Sequence, residues 1–402
     1  MIVGAYMAWN VGANDVANAM GTSVGSGALT FKRAIVAAAV FEFLGAILVG
    51  AHVTSTVKSG IVDPVMFAGR LDHFALGMFA SLLAAALWLH LASSFGLPVS
   101  TTHSIVGAIF GFGLLFGGPD AIAWPKIIAI ISSWVISPIA GGLISFLIFL
   151  FIRKKILRSR APMYQTRKYA PFLVSIVFFI LALSFLFKGL KNLHLDLPLK
   201  TAVTIAGSVG LGSGTIMYLM LGKKAVVDSI KEQQVRAEGI FKTLQIITAC
   251  YVAFAHGAND VANAIGPVAA VYAVFVSGTL AKNVAVPVWI LLIGGAGIVI
   301  GLAMYGKHVI ETIGKKLTEM TPSRGFSAEF GAATTVLVCS KMGLPISTTH
   351  TLVGSVIGVG LARGISTLDF RVIRNILASW FITIPATALV AIVIYFIGNL
   401  FI

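Results

Sequence analysis

The sequence predicts an all-α polytopic membrane protein, with about twelve membrane segments in two inverted-topology repeats and re-entrant hairpins. Apolar stretches of about 20 residues, long enough to cross a hydrocarbon core of about 30 Å as a helix, recur along the whole chain. Two signatures each occur twice, in the same order and at nearly the same spacing. Lys and Arg gather between the apolar stretches rather than within them.

Of the 402 residues, 58% are hydrophobic and 11% charged, and the mean hydropathy is +0.97. Soluble domains carry about 25% charged residues. Clear spans cover residues 34–53, 74–95, 125–152, 171–190, 199–221, 287–305 and 372–397. The longest polar segments, 153–170 and 222–242, are too short to bury a soluble core. The first span carries Asn and Asp at its centre and lacks a basic leader and a small-residue cleavage site, so it reads as mature structure rather than a signal peptide. A net charge of +15 would suggest nucleic acid in a soluble protein, but here the positive-inside rule accounts for it and no nucleic-acid partner is expected. Cys250 and Cys339 fall in apolar segments and read as packing residues.

The densest basic clusters are Arg153, Lys154, Lys155, Arg158, Arg160, Arg167 and Lys168, then Lys223, Lys224, Lys231, Arg236 and Lys242. Both are expected in the cytoplasm, joined by two spans that return the chain to the same side. Five segments before Arg153 and five after Lys242 place both termini outside. This arrangement leaves eight of the 29 Lys and Arg outside: Lys58, Arg70, Lys126, Lys188, Lys191, Lys200, Lys282 and Lys341.

Residues 12–19 and 257–264 both read GANDVANA, while 96–103 read GLPVSTTH and 343–350 read GLPISTTH. Ser133 and Trp134 are echoed by Ser379 and Trp380. The odd number of segments in each copy gives the copies opposite orientation, the plan of secondary transporters whose site lies near midplane. The expected organisation is a first repeat over 1–152, a central connector with two spans over 153–242, and a second repeat over 243–402. The nearly apolar, uncharged turn 93–102 favours a re-entrant hairpin, since non-helical backbone at depth is tolerated where it lines a polar cavity.

In GANDVANA, Asn14 and Asn18 share a helix face with Asp15 beside them, and Asn259, Asp260 and Asn263 repeat the pattern. One carboxylate and two amide oxygens per copy suit a hard cation, with sodium favoured. Hydrogen bonding between neighbouring helices is the simpler structural role for such residues, but intramembrane carboxylates are costly and this one occurs twice. In GLP(V/I)STTH the proline suits the first turn of a helix. Ser100, Thr101 and Thr102, with Ser347, Thr348 and Thr349, then offer hydroxyl donors beside free amides where an anion is favoured. Capping by Ser100 and Ser347 is the bland alternative. Neither motif contains Lys or Arg, so two aspartates and an oxyanion together demand accompanying cations or protons, which implies symport. Glu42, Glu329, His103 and His350 are accessory coupling candidates, each also readable as a structural group.

At these motifs the chain resembles the PiT family of inorganic phosphate transporters, whose duplicated signature surrounds a GANDVANA-like core; the resemblance runs from Ile2 to the last span. It implies sodium- or proton-coupled uptake of inorganic phosphate, with Asp15, Asp260 and the two Ser-Thr-Thr runs at the translocation centre. The short central loops resemble the compact prokaryotic form, and only eleven residues precede Gly12, so a short first helix is expected. The expected partners are phosphate, sodium or a proton, the lipid bilayer and a second copy in a homodimer, with no cofactor. On residue chemistry alone, sulfate or another tetrahedral oxyanion fits the hydroxyls as well. A channel would also place polar residues at midplane, but no nucleotide-binding loop and no His/Glu metal motif points to an ATP-driven pump or a membrane enzyme.

Overall fold

A computed structural model describes residues 1–401 except 60, 63–66, 68, 193–196, 223–228, 278–285, 312–318 and 342–345. Lys223, Lys224 and Lys282, placed by the charge argument above, lie outside the described residues. So do the side chains of Lys58, Lys188, Lys191 and Lys341.

The described residues are almost entirely helical: α1 (Ile2–Gly25), α2 (Phe31–Ser59), α3 (Leu71–Ser94), α4 (Thr101–Gly117) and α5 (Trp124–Ile152) precede the first basic cluster. The connector holds α6 (Pro162–Asn192) and α7 (Leu199–Leu221). After it come α8 (Ile230–Ser277), α9 (Val288–Tyr305), a short α10 (Lys307–Glu311), α11 (Pro322–Lys341), α12 (Thr348–Arg363) and α13 (Phe370–Asn399). Eight of these, α2, α3, α5 to α9 and α13, are long and apolar enough to cross a membrane. The first helix is not short as expected: its 24 residues carry GANDVANA in the middle, where Asn10, Asn14, Asp15 and Asn18 dilute its apolar content.

Small residues set the packing. A Cβ on Gly257 would lie 2.0 Å from the Glu42 carbonyl oxygen, and one on Gly12 would lie 1.9 Å from that of Ile298. Backbones can approach this closely only where a side chain is missing. Along these seams the helices run parallel across the chain: Gly45 abuts Phe254 and Gly50 abuts Val261, while Gly297 abuts Ala8, Gly301 Trp9 and Gly306 Val16. Thus α2 is parallel to α8 and α1 to α9. Because only residues 26–30 join α1 to α2, the two GANDVANA helices run in opposite directions.

The same exchange recurs in the other half. Gly354 meets Pro138 and Gly358 meets Gly142, so α12 is parallel to α5, while Gly107 meets Ile384 and Gly111 meets Ala388, so α4 is parallel to α13. The equivalent turns Pro119–Ala121 and Ile365–Thr367 lie at opposite ends of the molecule. Ile122 pairs with Val62 beyond α2. By contrast, Ala362 accepts from Arg153 Nη1 at 2.6 Å, and Gln234 Nε2 donates to Leu157 O at 2.8 Å.

The tip between α3 and α4 rests against the middle of α1, where Asn14 Nδ2 donates to Ser93 Oγ at 2.9 Å and to Leu97 O at 3.0 Å. That is the depth of a re-entrant hairpin. At about 1.5 Å per residue, α4 and α12 are roughly 25 Å long, short of a full crossing.

Candidate functional site

Each hairpin tip ends in an extended residue, Ser100 or Ser347, whose hydroxyl accepts from the amide of His103 or His350 at 3.1 Å. Both serines are N-caps in the ordinary sense, leaving the threonines to face the other helices. Pro98 does not occupy the first helical turn as expected; it lies two residues before the cap, in chain that is not yet helical.

Thr101 and Thr102 of the first hairpin and Thr349 of the second meet the acidic motif of the opposite half, while Thr348 meets that of its own. Asn18 Nδ2 donates to Thr349 Oγ1 at 2.8 Å and to Asp15 Oδ1 at 3.0 Å, and Thr349 Oγ1 reaches Asp15 Oδ1 at 3.2 Å. In the mirrored position Asn263 Nδ2 reaches Thr101 Oγ1 at 3.0 Å, Thr102 Oγ1 at 3.2 Å and Asp260 Oδ1 at 3.0 Å. Asn14 and Asn259 hold the hairpin of their own half instead, through the carbonyls of Leu97 and Ile346 at 3.0 and 3.2 Å. Thr102 Oγ1 donates to that same Ile346 oxygen at 3.1 Å, tying one tip to the other. Thr348 Oγ1 donates to Asp260 Oδ2 at 2.8 Å. All of these side chains are buried, so one compact polar cluster contains both motif pairs.

The asparagines spend their amide N–H groups on this scaffold. Their oxygens are a different matter: Asn14 Oδ1, Asn18 Oδ1 and Glu42 Oε2 are buried with no hydrogen-bond donor, and Asp15 Oδ2 and Glu42 Oε1 face the ring of His256. Buried acceptors are rarely left so, and hard oxygen atoms without donors are chemically suited to a cation.

His256 is the residue that motif reading missed. Fully buried, its Nε2 lies 3.0 Å from Asp260 Oδ2 and 3.7 Å from Asp15 Oδ2, and its Nδ1 lies 3.3 Å from Glu42 Oε1. It joins both aspartates and Glu42 around one ring, with ligand atoms of Asp15, His256 and Asp260 all within 4.8 Å of one another. The signal was present in the sequence: the position before the second GANDVANA is His256, whereas the first copy has Val11.

Glu329, on α11, stands apart, against Thr22 and Ser23 two turns further along α1 than Asp15. Its Oε1 accepts from Thr22 Oγ1 at 2.6 Å, Ser23 Oγ at 2.7 Å and Gln245 Nε2 at 3.1 Å, and its Oε2 accepts from Thr248 Oγ1 at 2.5 Å. His103 and His350 point into an aromatic stack, where their rings lie 4.2 Å apart and rest on Trp134 at 3.7 Å and Trp380 at 3.4 Å. The tryptophans of the repeated Ser-Trp pairs therefore wall the histidines of both hairpins. Beside Asn18, His256 and Thr348 the structure leaves a cavity of 10 Å³, about the room of a single water.

Comparison with known proteins follows the same motifs. Residues 11–391 match the profile of the phosphate transporter family. Over 425 aligned residues the chain is 45% identical to inorganic phosphate transporter 2-1, chloroplastic, of Arabidopsis thaliana, covering 98% of this chain and 70% of that protein. A solved structure described as the sodium-dependent phosphate transporter superposes with a TM-score of 0.92 at 40% identity, covering 100% of this chain and 98% of the other.

Proposed function

The chain belongs to the phosphate transporter family, and we propose that it is a secondary active symporter in which sodium, rather than protons, drives inorganic phosphate across the cell membrane. It is a multi-pass membrane transporter and not an enzyme. The observation that carries the sodium reading is the set of buried oxygens without donors, Asn14 Oδ1, Asn18 Oδ1 and Glu42 Oε2, together with the carboxylates of Asp15 and Asp260, which lie within 4.8 Å of each other beside His256. The dependence on sodium in the description of the superposed structure supports it.

In this reading Asn14, Asp15, Asn18, Asn259, Asp260 and Asn263 hold sodium, and the hydroxyls of Ser100, Thr101, Thr102, Ser347, Thr348 and Thr349 hold phosphate. The threonines already have partners in the acidic motifs, so phosphate enters by exchange: a hydroxyl leaves a carboxylate or amide and turns to a phosphate oxygen. That exchange strips a donor from a buried carboxylate, at a cost of about 1–3 kcal/mol or more for a charged group. A sodium ion arriving at the same carboxylate supplies the missing positive charge. Coupling then follows from shared partners, not from a separate relay. Glu42 and Glu329 act as accessory coupling groups at either side of this cluster, and His103 and His350 as the packed bases of the two hairpins.

Sodium-gradient uptake into proteoliposomes tests the proposal. Phosphate should accumulate above its external concentration with an inward sodium gradient and no pH gradient. Accumulation driven only by a pH gradient would exclude sodium as the coupling ion, and no accumulation under either gradient would exclude coupled transport.

We also take 1–152 and 243–402 as inverted repeats joined by the connector 153–242, with the Arg153 end in the cytoplasm and both termini outside. The charge asymmetry supports this sidedness, since Arg153, Arg158, Lys231 and Arg363 gather at one end. With Cys250 and Cys339 replaced by Ser, Asp120→Cys should react with an impermeant thiol reagent from outside, and Ile365→Cys from inside. Both side chains are exposed. Labelling of both from one side would break the inverted arrangement.

A further inference from the structure

The ends of α5, α8, α11 and α12 form an open cavity of 710 Å³, far from the aspartates along the helices. Arg153, Arg158, Lys231, Arg324 and Arg363 line it, against one carboxylate among the described residues, Glu238. Glu238 is already engaged: it accepts from the amide of Ser323 at 2.9 Å, from Ser323 Oγ at 2.6 Å and from Thr321 Oγ1 at 3.3 Å, capping the start of α11. The guanidiniums are held in place. Arg153 Nη1 donates to Ala362 O at 2.6 Å, while Arg324 and Arg363 both reach Glu319 Oε2, at 3.3 and 3.1 Å. Those two side chains are only 19% and 18% exposed.

The positive-inside rule explains basic residues on this face. It does not explain why five of them, from four helix ends, converge on one cavity of ligand size with partly buried guanidiniums. Glu319 joins only two of the five, so even with Glu238 the group keeps an excess of positive charge, and guanidinium forks match the oxygens of a phosphate group. We propose that this cavity binds a phosphate group, carried either by an anionic phospholipid or by free inorganic phosphate at the end where the connector lies. Its occupant clamps the end of α5 and the start of α8 to α11 and α12, the two arms of the hairpin that carries Thr348. Occupancy there therefore bears on how freely that hairpin moves.

The test uses the purified full-length chain in sodium-free buffer, which keeps this site separate from sodium-dependent loading of the transport site. One arm measures equilibrium binding of radiolabelled inorganic phosphate. The other measures, by native mass spectrometry, retention of phosphatidylglycerol over phosphatidylcholine from mixed nanodiscs. One arm is expected to give about one bound phosphate group per chain, weakened roughly tenfold or more in an Arg158→Gln, Lys231→Gln double variant. These two side chains are exposed, so the fold should persist, which thermal unfolding of the variant checks. Arg153→Gln should weaken binding further. Binding in neither arm overturns the proposal. So does binding that the double variant leaves unchanged, or that Asp15→Asn removes instead. Sodium-driven uptake can succeed or fail independently of all three.

Discussion

Asp15→Asn and Asp260→Asn should each abolish sodium-driven phosphate uptake while leaving the chain folded in the membrane. Each change keeps the shape of the side chain and deletes one charge at a place where no Lys or Arg can stand in. Asp260 should be the more sensitive. It accepts from Asn259 at 3.1 Å, Asn263 at 3.0 Å and Thr348 at 2.8 Å, and lies 3.0 Å from His256, so it holds the second hairpin and half of the cluster. Asp15 has Asn18 and Thr349 as donors at Oδ1, and its Oδ2 lies farther from His256, at 3.7 Å. Removing one member of a buried charge group costs about 3–5 kcal/mol, a loss of more than a hundredfold in sodium affinity. Uptake under a sodium gradient, normalised to the amount of protein at the surface, measures the effect. Wild-type uptake by either variant removes that carboxylate from the mechanism.

Much of this arrangement was legible in the sequence because it rests on local patterns and on parity. Apolar length placed α3, α5, α7, α9 and α13 to within about three residues at each end, whereas α2 and α6 run further than their apolar stretches, and the duplicated motifs, placed between an odd number of segments, required α1 and α8 to run oppositely. What could not be read were contacts between residues far apart in the chain. Asn18 meets Thr349, 331 positions away, and Asn263 meets Thr101, 162 away. Periodicity carries no information about which hairpin a given asparagine holds. The cradle of Thr22, Ser23, Gln245 and Thr248 around Glu329 is hidden for the same reason: it draws hydroxyls from α1 and α8 onto a residue of α11. His256 differs, because its signal was a break in the internal symmetry. A position that repeats everything around it except one residue marks where the two halves have taken different tasks, and here the odd residue ties the two aspartates to Glu42.

Thr101→Val and Thr348→Val should separate the two kinds of binding. Each keeps the side chain's shape and removes one hydroxyl, at an expected loss of about 1.5–3 kcal/mol where that hydroxyl bonds a charged oxygen, or roughly tenfold or more in phosphate affinity. From the motifs alone, both changes would touch the anion subsite and spare the cation. The structure gives them different neighbours. Thr101 Oγ1 accepts from the neutral amide of Asn263 at 3.0 Å, and its interaction with Asp15 is the weakest of those around that carboxylate, so its loss should weaken phosphate binding and change sodium binding, measured without phosphate, much less. Thr348 Oγ1 donates to Asp260 Oδ2, so its loss removes a donor from a carboxylate that the sodium reading depends on. Thr348→Val should therefore shift sodium and phosphate affinity together, and the coupling between them should weaken more than in Thr101→Val. Isothermal titration of each ion, alone and in the presence of the other, supplies the comparison. Equal and purely anionic defects in both variants would mean that the hydroxyls and carboxylates do not exchange partners, and unchanged phosphate affinity in both would reduce the two hairpin tips to simple helix caps.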